Sequence, residues 1–275
     1  MTALIIPPRP DLLIRVQSLL TRHEPDPGDM AQLIRQDVAL YTILLATVNS
    51  PLFRRSQRID SVEHAVSVLG MSRVASLMQS VALRSSLDAA GEWLGFWDSA
   101  AEVAGLCQAL SSRLQCMSGD HAYTFGMMHD IGSAVMRMNY PDYQSWALAE
   151  ASCNGARTRK AERERYGHDR FELAGRLAGE WFMPEPVVQA LTLQAHAQAS
   201  LMGKAQVCDD VKGANALLIL AKDISSEYHA YWNFDSRDAL SQLVEKAVEY
   251  LAITQHEYLD IRDDLVEKLA LADVA

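Results

Sequence analysis

The sequence has no glycine-rich phosphate loop, no CxxC pair and no apolar run near the roughly 20 residues that a membrane helix needs. P-loop nucleotide chemistry, a compact zinc knot and a membrane span are therefore not expected. Glycine (14) and proline (9) are sparse and sit mostly between periodic segments, which disfavours a turn-rich sheet protein. Basic residues are also in deficit: 25 Lys and Arg face 35 Asp and Glu, a net charge of −10. Such a field repels a polyanion, so nucleic acid is not the expected partner. The four cysteines, Cys107, Cys116, Cys153 and Cys208, lack zinc spacing and are read as free thiols in a reducing cytosol. The opening "MTALIIPPRP" has no basic region and too short an apolar run for a secretory signal. A soluble, cytoplasmic protein without a membrane partner is expected.

What is present is helical periodicity. The 275 residues suffice for one large domain or two ordinary ones. Leu12, Leu13, Val16, Leu19 and Leu20 recur at helical spacing until "EPDPGD" (24–29) breaks the run. The stretch 30–53 reads as two short helices meeting near Gln36-Asp37, with Asp37 as an N-cap, and ends at Asn49-Ser50-Pro51. In "IDSVEHAVSVLG" (59–70), Asp60 and Glu63 resemble a capping box and Gly70 a C-terminal cap. Ser72 starts the next helix, and "LDAAGEWLG" (87–95) interrupts the pattern as a candidate boundary. Beyond it, 96–115 is rich in Ala and Leu, 116–122 is a loop, and 123–138 carries the doublet His129-Asp130. A helix starts near Pro141, with Gly155 past its end. Asp169 with Glu172 is another box-like start, a helix begins around the prolines of "FMPEPVVQAL", and a polar loop (197–212) precedes further helices.

The runs "PPRPDLLIRVQSLL", "QDVALYTILLATVNSPLF" and "IDSVEHAVSVLGMSRVASL" resemble the first half of an HDOD domain. "FWDSAAEVAGLCQAL", "FGMMHDIGSAVM" and "YGHDRFELAGRLAGEWFMPEPVVQAL" resemble its second half, so the likeness spans roughly residues 7 to 230 in the family's order. The resemblance implies an all-α protein of two packed helical bundles. Residues 1–88 would form an N-terminal subdomain and 89–275 an HD-like subdomain. It also implies a bacterial signalling or regulatory module related to the HD phosphohydrolases.

An HD phosphohydrolase gathers an early His, the His-Asp doublet and a late Asp around a divalent cation that activates water. Here the doublet is intact, but the resemblance places Ser99 at the early His, Arg170 at the family's G-x-x-H histidine and Lys222 at the late acid. Asp223 adjoins Lys222, yet one helical position turns a side chain by about 100°. His168 lies two positions before Arg170, and His196 falls after "PEPVVQAL", where related chains often carry a His pair. The expectation is a vestigial site (Ser99, His129, Asp130, Arg170, Lys222) with no metal, no cofactor and no catalytic residue. Any weak metal binding would fall to His129, Asp130, His168, His196 or Asp223.

Other candidates are read blandly. "RTRKAERERYG" (157–167) is a solvated face with Lys160–Glu164 and Glu162–Arg165 pairs rather than a docking patch. Arg54, Arg55 and Arg58 form a small basic loop, and Trp93, Trp97, Trp146, Trp181 and Trp232 are packing residues. No nucleophile setting for a covalent hydrolase is recognisable. The groove between the two halves is the expected binding surface. Three functions remain open. The first is a non-catalytic module acting on signalling proteins in trans. The second is a metal-dependent phosphohydrolase of a nucleotide or cyclic dinucleotide using His129 and Asp130. The third is a nucleotide sensor that does not hydrolyse its ligand.

Overall fold

The computed structural model describes residues 4–7, 11–36, 41, 44–45, 48–49, 59, 61–87, 93–150, 155–231 and 240–273. The expected features at Asp37, Ser50, Pro51, the arginines 54, 55 and 58, Asp60, Cys153 and Trp232 lie outside these residues, as does most of the boundary at 87–95.

The described residues form helices and no strand. In chain order they are α1 (Asp11–Leu20), α2 (Pro27–Arg35), α3 (Val62–Leu69), α4 (Met71–Leu87), α5 (Leu94–Leu114), α6 (Gly119–Met128) and α7 (Ile131–Asn139). Then follow α8 (Tyr143–Glu150), α9 (Gly155–Tyr166), α10 (Arg170–Glu180), α11 (Glu185–Leu193), a 3₁₀ turn (Gln194–His196) and α12 (Ala197–Leu201). The long α13 (Asp209–Tyr231), α14 (Gln242–Tyr250) and α15 (Gln255–Asp273) complete the chain.

Caps explain several boundaries. Asp26 begins α2 by accepting from the Gly28 amide at 2.7 Å, with Pro27 at the first helical position. Ser61 caps α3 by accepting from the His64 amide at 3.1 Å, and Gly70 ends it at φ 81°. Ser118 starts α6 inside the expected loop at 116–122. Gly155 opens α9 instead of trailing the helix before it. The polar loop expected at 197–212 contains α12 and the first turn of α13.

One apolar cluster runs from Leu13 and Met30 through Leu77, Trp97, Phe125 and Trp181 to Tyr258 and Leu269. Helices α5 and α6 pack closely along their length. Gly126 permits this, because a Cβ there would stand 2.6 Å from Ala104 Cα. The long α13 packs against α5, α11, α14 and α15, and α7 packs along α10. An extended lead-in crosses this assembly. The carboxamide of Asn139 accepts from Ile5 N–H at 2.7 Å and donates to Ile5 C=O at 2.8 Å, while the Trp181 indole donates to Pro7 C=O at 3.0 Å. Among the described residues no helix is long and apolar enough to cross a membrane.

Candidate functional site

The His-Asp doublet does not lie within a helix. It is the break between two, with His129 ending α6 and Asp130 preceding α7. The break is held locally: His129 Nδ1 donates to Gly126 C=O at 2.6 Å, which fixes the neutral tautomer and leaves Nε2 as the remaining donor atom for a metal. Burial pushes the imidazole down to about 4, helped by the Lys222 ammonium, while Asp130 and the Gly126 carbonyl oppose the shift. Asp130 Oδ1 accepts from Ser133 Oγ at 2.7 Å, a bond one turn into α7.

Gly132, the last residue of "HDIG", brings the next group in. A Cβ on it would lie 1.8 Å from the Arg170 carbonyl oxygen, so only glycine lets the start of α10 rest on α7. Arg170 is thereby delivered to the doublet. Its Nη1 stands 3.7 Å from Asp130 Oδ1 and donates to Ser133 Oγ at 3.3 Å. Its Nε lies 2.9 Å from Glu162 Oε1, and its main-chain N–H donates to Glu162 Oε2 at 3.0 Å.

Glu162 is fully buried, contrary to the expected solvated face of α9. Its Oε1 also accepts from the Tyr143 hydroxyl at 2.7 Å. Burial, with the carboxylate beside it, pushes the Tyr143 phenol up and keeps it protonated. Lys160–Glu164 is present at 3.8 Å on the outer face, but Arg165 pairs with Asp142 at 2.8 Å rather than with Glu162. The inner face of α9 also carries Arg159 and Arg163, both donating to Asp169 Oδ2. Asp169, fully buried, uses its other oxygen to cap α10 at the Glu172 amide, 2.9 Å away.

The third group comes from α13. Lys222 and Asn215 are two turns apart on one face, and both line one cavity with Asp130. A cavity of about 230 Å³ opens there, lined by Asp130, Arg170, Gln194, Asn215, Leu218 and Lys222. Lys222 is exposed by its total surface, yet it lines this cavity and its ammonium is partly desolvated there. That desolvation lowers its pKa; Asp130 opposes and Arg170 reinforces the shift.

The remaining candidates point elsewhere. Asp223 accepts from the Tyr258 hydroxyl at 2.6 Å. His196 Nε2 accepts from Arg159 Nη1 at 2.9 Å, and His168 Nδ1 faces Glu172 at 3.7 Å. Ser99 is exposed on α5 and does not line the cavity. No group of three or more His, Cys, Asp or Glu side chains able to hold a metal occurs among the described residues. The cavity lining offers one carboxylate, Asp130, beside two cations, with the buried His129 next in sequence to that carboxylate, and this set does not fit a divalent metal. The cavity lies wholly among residues of the expected second half, not at the junction between halves.

The tyrosine and asparagine of this site were not singled out in the sequence, and Glu162 was read only as half of a solvated pair with Arg165. Glu162 and Tyr143 lie 19 residues apart, and no local spacing announces their meeting.

Comparison with known proteins places the fold. The HDOD domain profile matches residues 6–197. Similar solved structures include a proposed phosphohydrolase from Shewanella amazonensis, at 19% identity and TM-score 0.69, covering 96% of this chain and 94% of that one. An HDOD domain protein of unknown function from Geobacter sulfurreducens has 18% identity and TM-score 0.69, with 98% and 93% covered. A proposed signal transduction protein from Marinobacter aquaeolei has 21% identity and TM-score 0.69, covering 98% of this chain but 59% of that one. At these identities the likeness is one of fold. A curated relative, an uncharacterised protein of Treponema pallidum, is 28% identical over 200 residues, which is 68% of this chain but 37% of the relative.

Proposed function

The chain belongs to the HDOD domain family, and we propose that it is a signalling module that acts through protein contacts and performs no metal-dependent hydrolysis. One observation carries this reading: Arg170 and Lys222 line the same cavity as Asp130 of the doublet. Two cations raise the energy of a divalent metal where a hydrolase must hold one. Asp130 is engaged by Ser133 and faces Arg170, and the Nδ1 of His129 is spent on a backbone carbonyl. The doublet then serves the structure by joining α6 to α7 at a fixed angle. The reading divides the chain into an N-terminal half, 1–88, and an HD-like half, 89–275. It also places the chain in a reducing compartment, which suits the free thiols of Cys107, Cys116 and Cys208.

The test is elemental analysis of protein purified without chelator, beside His129→Ala and with a phosphodiesterase assay on cyclic dinucleotides. Metal far below one ion per chain in both proteins, with no hydrolysis, is expected. About one Fe, Mn, Ni or Zn per chain, lost in the variant, would make the site a working centre and overturn the proposal.

A further inference from the structure

We propose that the cavity beside the doublet is a receptor site for a small organic acid carrying a hydrogen-bond donor, a 2-amino or 2-hydroxy carboxylate. The inference rests on the metal-free reading above, since a bound cation would occupy the same space.

Lys222 supplies the first half of the argument. Among the described residues its ammonium makes no hydrogen bond and no ion pair, although it lines a cavity that also holds Asp130. Arg170 differs, because Glu162 and Asp130 already flank it. Two carboxylates and two cations sum to no formal charge around this space. A phosphate dianion or polyphosphate would bring more charge than one free ammonium can offset. A single carboxylate pairs this ammonium, and in a 2-amino acid the ligand's own ammonium keeps the sum at zero.

Two amides supply the second half. Asn215 is 2% exposed and lines the cavity, yet its Oδ1 has no hydrogen-bond partner. The amide cannot simply be turned over, because its Nδ2 donates to Val211 C=O at 3.0 Å and the flip would set two oxygens together. Gln194 Oε1, from the 3₁₀ turn on another side of the cavity, is likewise buried without a donor. Buried acceptors without donors are rare and costly. The complementary molecule has an anionic end for Lys222 and an N–H or O–H for Asn215 and Gln194.

Size narrows the class. At about 30 Å³ per water, a cavity of about 230 Å³ has room for roughly eight waters, hence for a molecule of roughly that many heavy atoms. A 2-amino or 2-hydroxy acid fits; a nucleotide does not fit inside. Leu218 and Phe171 give the walls an apolar share for a short side chain.

The experiment is a thermal-shift panel on the full chain with the standard α-amino acids, glycolate, lactate and glycerate, and with inorganic phosphate as the contrast. Any carboxylate that raises Tm by several degrees is then titrated calorimetrically into wild type, Lys222→Met and Asn215→Leu, each checked for helicity by circular dichroism. The expected result is saturable binding of at least one carboxylate, weakened about ten-fold or more in Lys222→Met and again in Asn215→Leu. The amino and hydroxy arms identify which donor Asn215 takes. Three results overturn the proposal: no carboxylate binds, phosphate binds better than all of them, or the variants bind as wild type does. Chelator and metal content are read on the same preparation. Binding that a chelator abolishes sinks this inference together with the metal-free reading, whereas absence of binding in metal-free protein sinks this inference alone.

Discussion

Arg170 meets Glu162 twice, through its guanidinium at 2.9 Å and through its own main-chain N–H at 3.0 Å. One buried carboxylate thus holds both the side chain and the start of the helix that carries it. The negative charge also lies at the N-terminus of α10, where the helix dipole favours it.

Glu162→Ala should therefore be among the most damaging single changes in the chain. It leaves Arg170 buried without its strongest partner and Tyr143 without an acceptor, and such a broken pair costs roughly 3–5 kcal/mol. Urea unfolding measures it. A loss no larger than that of an exposed pair such as Lys160–Glu164 would show that Glu162 does not organise the site.

Gly132→Ala tests the contact between α7 and α10. The added methyl meets a backbone carbonyl, which cannot swing aside like a side-chain tip. We expect destabilisation of roughly 1–3 kcal/mol from the forced backbone shift. Gly179→Ala is the control, because nothing lies within 4 Å of a Cβ placed there.

The depressed His129 pKa predicts a pH dependence. A histidine whose folded pKa is about 4, below its ordinary 6.5, binds a proton more readily when unfolded. Its contribution is fully present above pH 6.5 and is lost as pH falls from 6.5 toward about 4. The slope from this one group is at most about 1.4 kcal/mol per pH unit. In His129→Gln the fall in Tm across this window should flatten. Identical pH profiles for the two proteins would count against a buried neutral imidazole.

If Arg170 and Lys222 occupy ligand positions of an ancestral metal site, their exchange should restore binding. Arg170→His combined with Lys222→Asp removes both cations and adds an imidazole and a carboxylate to His129 and Asp130. The double variant should take up Mn, Fe or Zn where wild type does not, as read by elemental analysis after dialysis. No uptake by a folded double variant would show that these positions do not converge on one point.

Much of the helical order was legible because its signals are local. Asp169 and Glu172 are three residues apart and form the cap their spacing announced. The contrast between Lys222 and Asp223 was also legible, since adjacent helical residues must diverge; one lines the cavity and the other meets Tyr258. The burial of Glu162 was not. In sequence it stands among arginines and looks solvated. Its true partners come from α8 and α10, and only their packing creates an interior on that face of α9. The break at His129-Asp130 was hidden for a related reason, because the apolar pattern continues across it.

The tether of Ile5 and Pro7 to Asn139 and Trp181 bears on synthesis. The contacts join residues 134 and 174 positions apart. Residues 5–7 leave the ribosome long before the side chains that hold them exist. At about 5–20 residues per second, the interval before residue 181 is made is on the order of ten seconds or more. Through that time Ile5 and Pro7 lack these partners, so this extended segment settles only after residue 181 has been made.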